Sequence, residues 1–237
     1  MVFDINFILF FFVVVGISLA YTIDDLAVLS KGFGGLYKSN AIAANLGSII
    51  YLFNRVFISL TLPALGFLVD SGVDLKNLLL AFSISSFLMV FLKFLTFQNS
   101  LKVIFLIKRI ATIIYKNESH HITKKITVKI DSPRSIGIKP IIAMIMFIAS
   151  MTIPSLMAVV FFDNRAFFIQ LGFAFNMIGS ILTILFIERN IALKAEQVVE
   201  NKISDADFIS SVTSIILSRA VGAFIYGLIM LAVYFII

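Results

Sequence analysis

Apolar residues in this chain come in long unbroken runs and show neither a period of two nor a clean amphipathic helical period. Six runs stand out, at roughly 5–22, 41–69, 77–97, 140–162, 166–187 and 208–237, with polar connections at 23–40, 70–76, 98–139, 163–165 and 188–207. Each run approaches or exceeds the ~20 residues that a helix needs to cross a bilayer. Lipid offers no partner to open backbone groups, so every such span is expected to be helical. The predicted fold is an all-α polytopic membrane protein with about six transmembrane helices. Three units are expected: a three-helix unit at 1–97, a basic loop at 98–139 and a second three-helix unit at 140–237.

The first run is not read as a signal peptide. Such peptides open with basic residues, whereas here Asp4 precedes the apolar run and no Lys or Arg does. Ser18-Leu19-Ala20 matches a cleavage site only loosely, so a retained span is expected.

Charge placement sets the orientation. Of the 19 Lys and Arg residues, fourteen fall in the first, third and fifth connections. The opposite side holds only Lys76 and Arg165, and Lys93, Arg55 and Arg219 lie inside runs. By the positive-inside rule the three basic connections are expected in the cytoplasm and both termini outside. The net charge of +6 thus argues topology, and no nucleic-acid partner is expected.

Within the long connection, LKVIFLIKRIATIIYK at 101–116 spaces Lys102, Arg109 and Lys116 seven apart, on one helical stripe. This fits an interfacial helix on anionic membrane lipids or an extension of the third span. The stretch ITKKITVKI at 122–130 alternates in part, as a short hairpin strand would. His120 and His121 lack neighbouring carboxylates and read as part of a solvated basic loop, so no metal site is expected.

Composition narrows the chemistry. The chain is 60% hydrophobic and 14% charged, against about 25% charged in soluble domains, and its mean hydropathy is +1.07. With no cysteine, disulfides and thiol nucleophiles are excluded. No G-x-x-x-x-G-K-[ST] loop is present to hold a nucleotide, so ATP is not the direct drive, and no cofactor or catalytic residue is expected. A membrane-embedded enzyme acting on lipid phosphates would need a metal-binding carboxylate cluster or a His/Ser pair. Asp24-Asp25, the acidic pair nearest a span, reads as an interfacial cap at the cytoplasmic end of the first one rather than a Mg²⁺ site.

The chemistry that remains is cationic. LFNRVFISL at 52–60 and ILSRAVGAF at 216–224 each put an arginine deep in an apolar run. At a span centre a guanidinium costs about 2.5–3.5 kcal/mol on insertion scales, so such residues are read as functional by default. Asp4, Asp70, Asp74, Asp163 and Glu188 fall at or beyond span ends, which favours an arriving anionic partner over a resident carboxylate. Lys93, nearer a span end, is expected to snorkel and carries no functional expectation. Aligning Arg55 with Arg219, an offset of 164, also superposes Asn54 on Ser218 and Lys38 on Lys202, which suggests a parallel repeat. Two arginines facing one cavity would suit a diphosphate, which guanidinium groups grip bidentately. Lys38 and Lys202 would receive the headgroup on the cytoplasmic side.

Ser218-x-x-x-Gly222 and Ala223-x-x-x-Gly227 predict close helix approach. Pro63 and Pro154 mark kinks, and Asn45, Gln170 and Asn176 are expected to hydrogen-bond within the bundle.

KSNAIAANLGSIIYLFNRVFISLTLPALGFLVDSG, with a basic loop, Asn-Arg in the span and a Pro-containing exit, resembles the second span of the Amj family, the alternate lipid II flippases of bacteria. EQVVENKISDADFISSVTSIILSRAVGAFIYGLIM resembles that family's last span. The resemblance covers both ends of the chain; the middle matches in hydropathy only. It implies movement of lipid II, an undecaprenyl-diphosphate-linked muropeptide, from the inner to the outer leaflet of the bacterial plasma membrane for peptidoglycan synthesis. Carried over, Arg55 and Arg219 become diphosphate contacts, with Lys38 and Lys202 beside them. The Phe- and Ile-rich middle supplies few polar residues for the glycan. A flippase for another polyprenyl-linked glycan is one alternative. A non-transporting subunit whose arginines pair with an acidic partner helix is another.

Overall fold

The structure is a computed structural model and describes residues 5–37, 40–115 and 136–237. Eight α-helices follow in order: α1 Ile5–Tyr37, α2 Asn40–Asp70, α3 Leu75–Gln98, α4 Ser100–Ile114, α5 Ile138–Val160, α6 Arg165–Thr183, α7 Arg189–Val199 and α8 Asp205–Ile236. A single π-helical turn, Ile184–Glu188, runs α6 into α7. No strand occurs among the described residues. Six helical segments are long and apolar enough to cross a membrane, and the chain is a multi-pass all-α membrane protein.

Local signals explain the helix ends. Gly72, at φ 77°, takes the left-handed turn between α2 and α3 that favours glycine. Ser204 caps α8 by accepting from the Asp207 amide at 3.1 Å, and Asp205 and Asp207 sit in its first turn, where acidic groups complement the helix dipole. Asn99 separates α3 from α4 by one non-helical residue.

Two connections differ from expectation. Residues 23–37 continue α1 as one 33-residue helix, because Val28, Leu29, Phe33, Leu36 and Tyr37 are all buried. Most of 188–207 is likewise helical, as α7, which buries Ile191, Ala195 and Val198. The segment at 101–114 forms a separate helix, α4, rather than a continuation of α3. It packs Ile104, Ile107 and Ala111 inward and leaves Phe105, Leu106, Ile110 and Ile113 exposed beside Lys102 and Arg109. That mixture suits the membrane interface. The hairpin strand expected at 122–130 and the histidines lie outside the described residues.

Around α1 the two halves of the chain interleave. α1 packs on α2 and α3, α3 on α8, and α8 on α5, so the 1–97 and 140–237 units share one core. α6 leans on α5 and exposes Phe167, Met177 and Ile181, as a lipid-facing rim helix would. Small residues on α8 permit close crossings, as their spacing predicts. A Cβ on Gly222 would meet the Ile141 carbonyl oxygen of α5 at 2.7 Å, and one on Gly227 would meet Ser86 of α3 at 3.1 Å. The Ser218 hydroxyl accepts from the Gly137 amide at 2.9 Å. Pro63 and Pro154 lie inside continuous helices. Asn45 and Gln170 are exposed and the Asn176 Oδ1 is unpartnered among the described residues, so the expected hydrogen bonds within the bundle are not seen there.

Candidate functional site: a buried ionic layer and an exposed arginine

The core has two apolar parts. One gathers Leu29, Phe33, Ile104, Ile191 and Phe208 near the basic end of the bundle. The other gathers Ile17, Leu65, Phe82, Phe147 and Tyr226. Between them, on four helices, lies a layer of buried polar and charged groups: Asp24 and Asp25 on α1, Asn54 on α2, Lys93 on α3 and Arg219 on α8.

Asp25 is its hub. Lys93 Nζ lies 2.5 Å from Asp25 Oδ2, and Arg219 Nη1 donates to Asp25 Oδ1 at 2.9 Å. Lys93 Nζ also donates to the Tyr21 carbonyl oxygen at 2.9 Å. Asp25 and Lys93 are 0% exposed and Arg219 is 1% exposed, so nothing screens these contacts, and each charge depends on its partner. Asp24 accepts a short hydrogen bond from the Asn54 amide and lies within electrostatic reach of Arg219 and Lys93. Two acids facing two bases make the layer neutral when all four are ionised. Asn54 Oδ1 and Arg219 Nε are buried without a hydrogen-bond partner among the described residues, one leftover acceptor and one leftover donor in the same layer.

Three expectations are corrected here. Arg219 does have a resident carboxylate, because α1 runs past the expected span end and carries Asp25 into the bundle. Asp24-Asp25 is accordingly not an interfacial cap. Lys93 does not snorkel, because its ammonium is held inside the bundle by Asp25 and the Tyr21 carbonyl oxygen. The signal in the sequence was the pair Asp24-Asp25 itself, which lies inside α1 once that helix is extended through residue 37.

Arg55 stands apart from this layer. It is exposed on α2, although its neighbour Asn54 is fully buried. Its Nη2 donates to the Tyr51 hydroxyl at 2.8 Å, and its guanidinium lies over the Tyr51 ring, 4.9 Å from the centroid. Such a seat orients a planar cation and leaves other N–H groups available. No carboxylate pairs with it among the described residues.

Arg55 and Arg219 therefore do not form one site: the first faces out of the bundle and the second is consumed inside it. Lys202 is also occupied, on the surface, by Glu200 at 2.7 Å. That hydrogen bond, with the attraction of the carboxylate, raises the lysine above its usual pKa. Lys38 lies outside the described residues. The offset of 164 thus superposes two arginines in unlike surroundings. No group of three or more metal-binding side chains occurs among the described residues.

No family model matches the chain, and no curated protein or solved structure matches it.

Proposed function

We propose that this protein is a flippase of the bacterial plasma membrane for a polyprenyl-diphosphate-linked glycan, lipid II first, and so serves cell-wall peptidoglycan synthesis. The observation that carries this reading is Arg55: an exposed guanidinium near the middle of a spanning helix, aligned by Tyr51 and free of any described carboxylate. An uncompensated cation at that depth is costly, and an anionic group passing along α2 offsets the cost. A diphosphate whose polyprenyl tail stays in lipid meets that requirement. Arg219 takes a different role from the one its sequence pattern suggests, as a positioning residue that ties α8 to α1 through Asp25. No step in such transport needs a catalytic group or a bound cofactor.

Exposure of Arg55 also favours a second reading, a membrane subunit whose Arg55 pairs with an Asp or Glu on a partner helix. One experiment separates the two. The protein is expressed in a bacterium whose principal lipid II flippase can be shut off, and growth is compared for wild type and Arg55→Ala at equal membrane abundance. Rescue by wild type and its loss in the variant supports the flippase. Failure of well-accumulated wild type to rescue, with an acidic membrane helix co-purifying only when Arg55 is present, supports the subunit.

A further inference from the structure

A crevice of about 760 Å³ opens at the basic end between the start of α5, α7 and α8, within the usual size of a small-ligand site. Two helix faces, each with a polar stripe, look into it. α7 and the π turn contribute Phe186, Asn190, Lys194 and Gln197; α8 contributes Asp207, Ser211, Ser214 and Ser218. Both sets follow helical spacing, so each is one continuous stripe. Ile191, Ile203, Phe208, Val212 and Ile215 line the crevice beside these stripes.

The donors and acceptors are sorted. Ser211, Ser214 and Ser218 each spend their hydroxyl proton on a backbone carbonyl of their own helix, at 2.8, 2.6 and 2.7 Å. Ser211 also accepts from Lys194 and Ser218 from the Gly137 amide, so Ser214 keeps both lone pairs and the other two keep one each to accept from sugar hydroxyls and amides. The cations lie at the side. Lys194 donates to the Ser211 hydroxyl at 2.8 Å, and Lys139 sits over the Phe186 ring, 5.6 Å from its centroid. A smaller pocket of about 380 Å³ adjoins on the far side of Phe186 and Asn190, and it adds Arg189 with Leu185 and Leu193. Leu185 and Leu193 are 54% and 47% exposed. Lys139, Arg189 and Lys194 have no carboxylate partner among the described residues. The π turn beside them is a rare element that concentrates at functional positions.

Resting on the proposed function above, we infer that this crevice is the loading site for the headgroup of the lipid substrate on the cytoplasmic side. Lys139, Arg189 and Lys194 hold the diphosphate at its mouth, Asn190 and the α8 serines receive the first sugar, and the polyprenyl chain leaves over Leu185 and Leu193 into lipid. The apolar exit distinguishes a lipid headgroup from free diphosphate. The serine stripe ends at Ser218, next to Arg219, so a bound headgroup reaches to the edge of the ionic layer.

The test uses the full chain in nanodiscs of zwitterionic lipid, with lipid II, undecaprenyl diphosphate and inorganic diphosphate as separate probes, read by native mass spectrometry. Wild type is expected to bind both lipids, and a hundredfold excess of inorganic diphosphate to displace neither. The triple variant Lys139→Gln, Arg189→Gln, Lys194→Gln is expected to lose at least tenfold in affinity for both lipids, while Lys139→Arg, Arg189→Lys, Lys194→Arg retains it. Asn190→Ala with Ser211→Ala is expected to weaken lipid II and leave undecaprenyl diphosphate unchanged. Equal binding by wild type and the glutamine triple, or no lipid binding by wild type, overturns the proposal, as does equal affinity for inorganic diphosphate. Crevice-dependent binding without growth rescue overturns the flippase reading and leaves the binding site standing.

Discussion

Arg55 and Arg219 occupy matching places in matching sequence patterns, each near the middle of a long apolar helix, yet the fold treats them oppositely. Arg219, on α8, is buried against α1 and α3, neutralised by Asp25, and shares that acid with Lys93. Among the described residues Arg55 is turned outward and steadied by Tyr51 alone. An intramembrane arginine is thus two different things depending on what the neighbouring helix carries. Against an acid it is a clamp, and without one it is an open electrostatic site. A charge in an apolar run signals that something must compensate it; only the packing says whether the compensation is resident or arrives.

The sharpest way to break this comparison is to remove the hub. Asp25→Ala leaves Lys93 and Arg219 buried without their shared carboxylate. Breaking a buried ion pair costs about 3–5 kcal/mol, so the variant is expected to lose folded protein, seen as low membrane accumulation and early unfolding in a detergent melt. Replacing Asp25 together with both its partners, Asp25→Leu with Lys93→Met and Arg219→Met, is expected to recover part of that stability, because only Asp24 is left without a buried counter-charge and it keeps the Asn54 amide. Failure of the triple replacement to exceed Asp25→Ala would mean that the layer does not act as one unit.

Exchanging single arginines comes next. Arg219→Met is expected to lower the melting temperature clearly, since a hydrogen bond to a charged group contributes about 1.5–3 kcal/mol and Asp25 keeps only Lys93. Arg55→Gln is expected to change stability by no more than about 0.5 kcal/mol, as for exposed positions generally, and to reduce transport measured by leaflet-specific labelling of the lipid-linked precursor. A melting shift for Arg55→Gln as large as that for Arg219→Met would erase the distinction drawn here.

Smaller effects extend the same contrast to the helices that bear the two arginines. Gly222→Ala drives a Cβ to 2.7 Å from a backbone oxygen of α5, and overpacking of this kind costs about 1–3 kcal/mol. Gly66 on α2 meets nothing within 4 Å, so Gly66→Ala is expected to be neutral or to stabilise by about 0.5–1 kcal/mol through helix propensity. Paired thermal melts check both signs. Least of all, Tyr51→Phe keeps the ring beneath Arg55 and removes its hydroxyl partner. Stability is expected to hold within about 0.5 kcal/mol, with a transport loss smaller than that of Arg55→Gln.

Much of this architecture is legible in the chain before any coordinates. Six apolar runs foresee the six spanning helices, since a bilayer admits few alternatives for a backbone that must satisfy itself. Ser218, Gly222 and Gly227 were recognisable as close-approach positions, and the stripe of α4 suggested an interface helix. What hydropathy misjudged were the ends. It closed the first span before Asp24-Asp25 and took α7 for loop, because polar residues inside a bundle and polar residues in water look alike in a sum over neighbours.

The sequence by itself determined that this is an all-helical membrane protein carrying charge where charge is costly. Hydrophobic length and backbone satisfaction are local properties, read along one helix at a time. Only the tertiary structure decided which charge meets which: that α1 brings Asp25 between Lys93 and Arg219, that Arg55 faces outward, and that two faces of α7 and α8, each with a polar stripe, stand apart around a crevice. Those outcomes depend on the rotation of each helix about its axis and on its neighbours. Both are set by the fit of side chains from distant parts of the chain.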